Sequence, residues 1–65
     1  MESKLKEIMK EQGRTQNWLS EQVGVNKATI SMIINKKSLP TLPVAHRIAK
    51  TLGVKIEDIW YEEEH

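Results

Sequence analysis

Cysteine is absent from this 65-residue chain, so neither a disulfide nor a thiolate metal site can support its fold. No apolar run approaches the length that spans a bilayer. The N-terminal stretch carries charges throughout and lacks the apolar segment of a signal peptide. These absences make the cytoplasm the expected location and leave no membrane partner. The two histidines, His46 and His65, stand far apart in sequence. No nucleophile motif, phosphate loop or metal-ligand spacing accompanies them. An enzyme is therefore not expected, and neither is a metal, a cofactor or a small-molecule substrate. A chain this short also struggles to enclose a substrate pocket. Internal repeats, low-complexity stretches and linkers are missing too, and no segment reads as a strand.

What is there suits one small domain covering residues 1–65, with a core from about residue 3 to 61 and a frayed acidic tail at 62–65. Hydrophobic residues make up 38% and charged residues 29%, a balance that fits a compact fold better than a disordered chain. The core is small and stability is marginal at this size. The net charge of +1 says little, but its distribution says more. Residues 1–37 hold seven Lys or Arg against four Glu, a balance of +3. Residues 38–65 hold three against five acids, a balance of −2. The basic half is where a DNA phosphate backbone is best met, although ordinary surface charge gives the same pattern.

The apolar spacing predicts an all-α chain of five short helices. The first covers roughly residues 3–12, where Leu5, Ile8, Met9 and Gln12 recur at helical spacing before Gly13. The second runs from Gln16 to Val23, capped by Thr15 and stopped by Gly24, with Leu19 and Val23 on one face. The third runs from Lys27 to Asn35 behind the cap Asn26, and Ile30, Ile33 and Ile34 form its buried stripe. After a loop from Lys36 to Pro40, Thr41 caps the fourth, and Pro43 is tolerated near its start. Leu42, Ala45, Ile48, Ala49 and Leu52 share one face of that helix, and Gly53 ends it. The fifth spans Ile56 to Trp60.

The second and third helices are joined by a very short turn centred on Gly24, which is the layout of a helix-turn-helix. In such a unit the second helix enters the major groove and its N-terminal residues meet base edges. The first helix lies across the backbone, and its N-terminal amides can hold a phosphate.

From Leu5 to Trp60 the chain resembles the lambda-repressor-like DNA-binding domains, the Cro and phage-repressor (XRE-type) family of five-helix regulators. The stretches that carry the resemblance are LKEIMKEQG, TQNWLSEQVGV, NKATISMIINKK and PTLPVAHRIAKTLGVKIEDIW, in order, and their spacing matches without a gap. The most telling residues are Gln16 after Thr15, Leu19, Gly24-Val25, Thr29-Ile30-Ser31, Pro40, Ile48-Ala49 and Leu52-Gly53-Val54.

The resemblance implies a sequence-specific regulator of transcription, a repressor, that binds double-stranded DNA. It also implies roles for particular positions. Gln16 matches a residue that contacts a phosphate or supports a base-reading side chain. Asn26, Lys27, Ala28 and Met32 fall where the family reads bases or the adjoining backbone. Lys27 is suited to guanine O6 and N7. Ala28 and Met32 carry no strong donors, so they either press on thymine methyls or leave specificity weak. Thr29 and Ser31 can donate to phosphate or base, while Thr29 can equally bond its own helix backbone. Asn35, Lys36 and Lys37 lie where the family grips the backbone; a merely soluble loop is the alternative for the two lysines. Lys4, Lys6 and Lys10 read as a solvated helix face.

Several positions depart from the family pattern. Met9 and Ile34 stand where many members carry an Arg and a Glu that pair between the first and third helices. Two apolar residues read as a compensated swap, which spares two charges from leaving water. The swap predicts Met9 against Ile34 in the core; the alternative is an exposed Ile34 that serves a partner. Trp18 replaces a charge and is expected to cover the junction near Gly13 and Arg14; the alternative is a place near DNA. Lys36 replaces a frequent Gly, so Asn35 is expected to take the left-handed conformation. Lys55 replaces a Ser cap, so the fifth helix should start loosely, partly offset by Asp58 and the helix dipole.

Dimerisation on DNA is expected, because one such domain reads few base pairs and two half-sites about one turn apart add affinity. An inverted-repeat operator follows from a two-fold dimer. The family often dimerises after the fourth helix and through the fifth; Ile56, Trp60 and Tyr61 lie there, and Trp60 fits core and interface equally. The rival reading is a protein-interaction module, such as an antitoxin or adaptor, with DNA binding secondary or lost. Ala28, Met32 and an exposed Ile34 would favour it. No effector pocket is evident, so control through protein level or a partner is expected.

Overall fold

Helix boundaries follow the capping residues. The computed structural model describes residues 2–62, and within them five helices and two short strands. In order these are β1 (Glu2–Ser3), α1 (Leu5–Gln12), α2 (Gln16–Val23), α3 (Lys27–Ile34), α4 (Leu42–Leu52), α5 (Ile56–Ile59) and β2 (Trp60–Tyr61). The end of the acidic tail, residues 63–65, lies outside the described residues. The Thr15 hydroxyl oxygen accepts from the Trp18 N–H at 3.0 Å, and the Asn26 side-chain oxygen accepts from Ala28 at 2.7 Å. Each satisfies an amide that a helix start leaves without an internal partner. Thr41 also precedes its helix, but its hydroxyl makes no cap bond. Pro43 in the first turn instead removes one of the donors that would need one. The start of α5 is firmer than Lys55 suggested. The Asp58 carboxylate accepts directly from the Lys55 N–H at 3.0 Å, a local bond in place of a diffuse dipole effect.

Every helix gives the core at least one fully buried side chain: Leu5, Leu19, Ile30 and Ile33, Ile48, and Ile59. Burial of one such side chain is worth about 1.5–3 kcal/mol. A core this small therefore depends on each of them. The helix α2 packs against both α3 and α4, and the Gln12 amide ties the end of α1 to the Leu52 carbonyl at 2.9 Å. Met9 and Ile34 are both buried in this core and line the same hollow, as the hydrophobic swap requires. Ile34 is therefore no exposed patch. Leu42 departs from its expected stripe and is 72% exposed. No described helix is long and apolar enough to cross a membrane.

Two further features differ from the sequence expectation. The first is a pair of strands where none was expected. Glu2 pairs with Tyr61 and Ser3 with Trp60 in antiparallel register, and the Lys4 N–H extends the pairing to the Ile59 carbonyl at 2.8 Å. Two-residue strands are too short to show alternation, and their partners lie at opposite ends of the chain. This pairing ends α5 at Ile59 and puts Trp60 in the core, 8% exposed.

The second is the turn after α3. Lys36, not Asn35, adopts the left-handed conformation, with φ of 64°, while Asn35 keeps φ of −87°. The Lys36 N–H bonds the Ile33 carbonyl at 3.2 Å and the Lys37 N–H bonds the Met32 carbonyl at 2.9 Å. That double closure requires its left-handed residue at position 36, whichever side chain stands there. Asn35 is held back by its own amide, which donates to the Ser31 carbonyl at 2.9 Å.

Candidate nucleic-acid interface

Only Gly24, Val25 and Asn26 separate α2 from α3. Gly24 has φ of 71°, a conformation that a side chain disfavours and that reverses the chain at once. The N–H groups of Gly24 and Val25 both bond the Ser20 carbonyl, at 3.0 and 3.2 Å. The buried Ser20 hydroxyl donates to the Val25 carbonyl. Ser20 thus holds both sides of the turn, a role that its place in the sequence did not signal. Val25 packs partly against the core and pins the loop from beneath.

The turn presents α3 with its isoleucines inward. Ile30, Ile33 and Ile34 are buried, so positions 28, 31, 32 and 35 form the opposite face. Ala28, Met32 and Asn35 on that face are exposed, and Ser31 is half-buried. Asn26, Lys27 and Thr29 are exposed at the start of the helix, and Lys36 and Lys37 are exposed just beyond its end. Gln16 is half-buried at the start of α2, and its amide donates to the Lys27 carbonyl at 3.5 Å. This bond links the N-terminal ends of α2 and α3. All ten candidate residues therefore lie at the start of α2, at the N-cap of α3, along α3 or in the loop that follows it.

Their bonding differs from residue to residue. Thr29 is exposed, so its hydroxyl is open to solvent. The Ser31 hydroxyl lies 3.4 Å from the Asn35 amide nitrogen, which also bonds the Ser31 carbonyl. Lys36 approaches Glu2 at 3.9 Å, with about half of each side chain exposed. Such a surface pair is worth little in water and leaves the lysine available to a stronger anion.

A group that the sequence reading passed over lies beside Gln16. Arg14 sits over the Trp18 ring, 4.3 Å from its centroid, which fixes both side chains at the junction of α1 and α2. Trp18 thus covers the junction as expected. Lys6, Lys10 and Arg14 line one hollow with Gln16 over a floor of Met9 and Ile34. Spacing alone made Lys6 and Lys10 a solvated face of α1. Their convergence with Arg14 requires the angle between α1 and α2, which no local pattern encodes.

The helix-turn-helix family pattern matches residues 5–59, from the start of α1 to the end of α5. The chain belongs to this family. The lambda-repressor-like resemblance of its sequence is thereby established over nearly the whole chain. It is 38% identical to an uncharacterized HTH-type transcriptional regulator of Bacillus subtilis over the full length of both. It is 43% identical to one from Methanothermobacter thermautotrophicus, over 98% of this chain and 94% of the other. A third, from Methanocaldococcus jannaschii, is 42% identical over 98% and 97%.

Proposed function

We propose that this helix-turn-helix protein is a sequence-specific regulator of transcription, a repressor, that places α3 in the major groove of double-stranded DNA. The observation that carries this reading is the solvent face of α3. It leaves Lys27, Ala28, Thr29 and Met32 exposed together at the end of a turn held by Gly24 and Ser20. A B-form major groove about 12 Å wide admits one helix. Lys27 contacts guanine, Thr29 donates to a base or phosphate, and Lys36 and Lys37 grip the backbone beyond the helix. The names of the relatives support regulation as the purpose of binding. On the other side of Gln16, the cations Lys6, Lys10 and Arg14 extend the phosphate track along α1. The protein works by binding, not catalysis, in the cytoplasm.

Two copies bind an inverted repeat. A single α3 reads few base pairs, and a two-fold pair doubles the contact. The apolar hollow of Leu39, Pro40, Leu42, Ile56 and Trp60 supports a second copy, because Leu39 and Leu42 stand 63% and 72% exposed beside it. The same surface favours the second reading, a protein-interaction module whose partner is another protein. Selection of bound duplexes from a random pool at physiological salt separates the two. Enrichment of an inverted repeat with half-sites about one turn apart supports the regulator. Weak, salt-sensitive binding without enrichment supports the interaction module.

A further inference from the structure

We propose that the middle of each half-site is read through thymine methyl groups, by Ala28 and Met32, and not by amide recognition of adenine. The inference rests on α3 as the reading helix and names the bases that its central face selects.

Ala28, Met32 and Asn35 are the exposed residues nearest the axis opposite the buried isoleucines. These three side chains therefore project furthest toward a groove floor. Two of them are apolar, and Met32 keeps 47% of its surface in water in the free protein. The third is committed elsewhere. Adenine is recognised by an amide that accepts from N6 and donates to N7 at once. The Asn35 nitrogen bonds back to both the carbonyl and the hydroxyl of Ser31, at 2.9 and 3.4 Å. Asn26 turns its oxygen into the first turn of α3, onto the Ala28 N–H at 2.7 Å. The amides at both ends of the helix thus serve the protein, and the two side chains nearest the outward axis between them, Ala28 and Met32, are apolar.

The one methyl group that base pairs present in the major groove is that on thymine C5. A methionine thioether is long and adaptable and fills such a contact readily. Residues four apart rise about 6 Å along a helix, against about 3.4 Å per base step of DNA. The two contacted thymines therefore lie one or two steps apart, beside the guanine under Lys27.

The test uses the full chain and the duplex enriched in the selection, with each half-site thymine replaced in turn by deoxyuridine, which lacks only the methyl. Binding is measured at fixed salt. Uracil is expected to weaken binding about fourfold at two positions one or two steps apart, the worth of one methyl withdrawn from water. Met32→Ala removes the uracil effect at one position and Ala28→Ser at the other, while Met32→Leu retains it. Both residues are exposed, and a thermal melt confirms that the variants fold. Uracil that is neutral at every position overturns the proposal. So does a loss of binding to 7-deazaadenine that Asn35→Ala abolishes, since that assigns the centre to an amide. Enrichment with neutral uracil leaves the regulator standing without this inference; no enrichment removes both.

Discussion

The solvent face of α3 and the surface around Leu39 and Leu42 are both exposed, yet they differ in chemistry and in what holds them. The α3 face has the core directly behind it, through Ile30, Ile33 and Ile34, and its ends are fastened by Asn26 and by the turn at Lys36. Its side chains are mostly polar or basic, with Met32 the one large apolar group. The Leu39 and Leu42 surface instead lines a hollow whose walls are almost wholly apolar, on a loop and at the first residue of α4. A polar face is at home in water and gains by meeting phosphate. An apolar one gains by being covered. The same small core thus supports two surfaces suited to different partners.

Breaking the core should remove both surfaces together. Ile30→Ala leaves a cavity under α3 and is expected to cost about 2–5 kcal/mol. In a chain of this size that is a large share of total stability, so a denaturant melt should show most of it lost. DNA binding and any self-association should fail in parallel. Retention of one with loss of the other would mean that the two surfaces do not share this core.

Removing charge should affect one surface alone. Lys36→Ala together with Lys37→Ala is expected to weaken binding about equally on all duplexes. The slope of log affinity against log salt should flatten by about two, one unit for each phosphate contact. A titration series in salt checks this, and an unchanged slope would take both lysines out of the interface.

Lys36 also allows a finer comparison with Gly24, since both turns use a left-handed residue and only one of them is glycine. A side chain in that conformation costs about 1–2 kcal/mol. Lys36→Gly should therefore raise stability by about 1 kcal/mol in a melt while it lowers DNA affinity. Stability lost on this change would mean that the Lys36 side chain contributes more to the fold than its exposed contact with Glu2 suggests.

The smallest effect on the fold is expected at Leu42. Leu42→Ser removes an exposed side chain and should change stability by no more than about 0.5 kcal/mol. Under the dimer reading it weakens binding to paired half-sites and leaves a single half-site unaffected, which a gel-shift comparison of the two duplexes measures.

How far the sequence carries depends on the distance over which each feature is decided. Caps and apolar stripes act within one or two helical turns, so Thr15, Asn26 and the isoleucines of α3 already placed the helices and the inward face. The family resemblance ran along the same continuous stretch and indicated the candidate residues. Other features arise between segments far apart in the chain. The pairing of Ser3 with Trp60 joins the two ends, and the hollow shared by Lys6, Lys10, Arg14 and Gln16 depends on how α1 meets α2. At Lys36 a local propensity, the tolerance of Asn for left-handed backbone, yielded to the hydrogen bonds that close the helix. The sequence by itself determined the five helices, their buried sides apart from Leu42 and the turn between α2 and α3, because short-range capping and periodic burial decide those. Only the tertiary structure decided that Trp60 is core, that Ser3 pairs with it and that Arg14 converges with Lys6, Lys10 and Gln16, because burial and convergence belong to the packed whole.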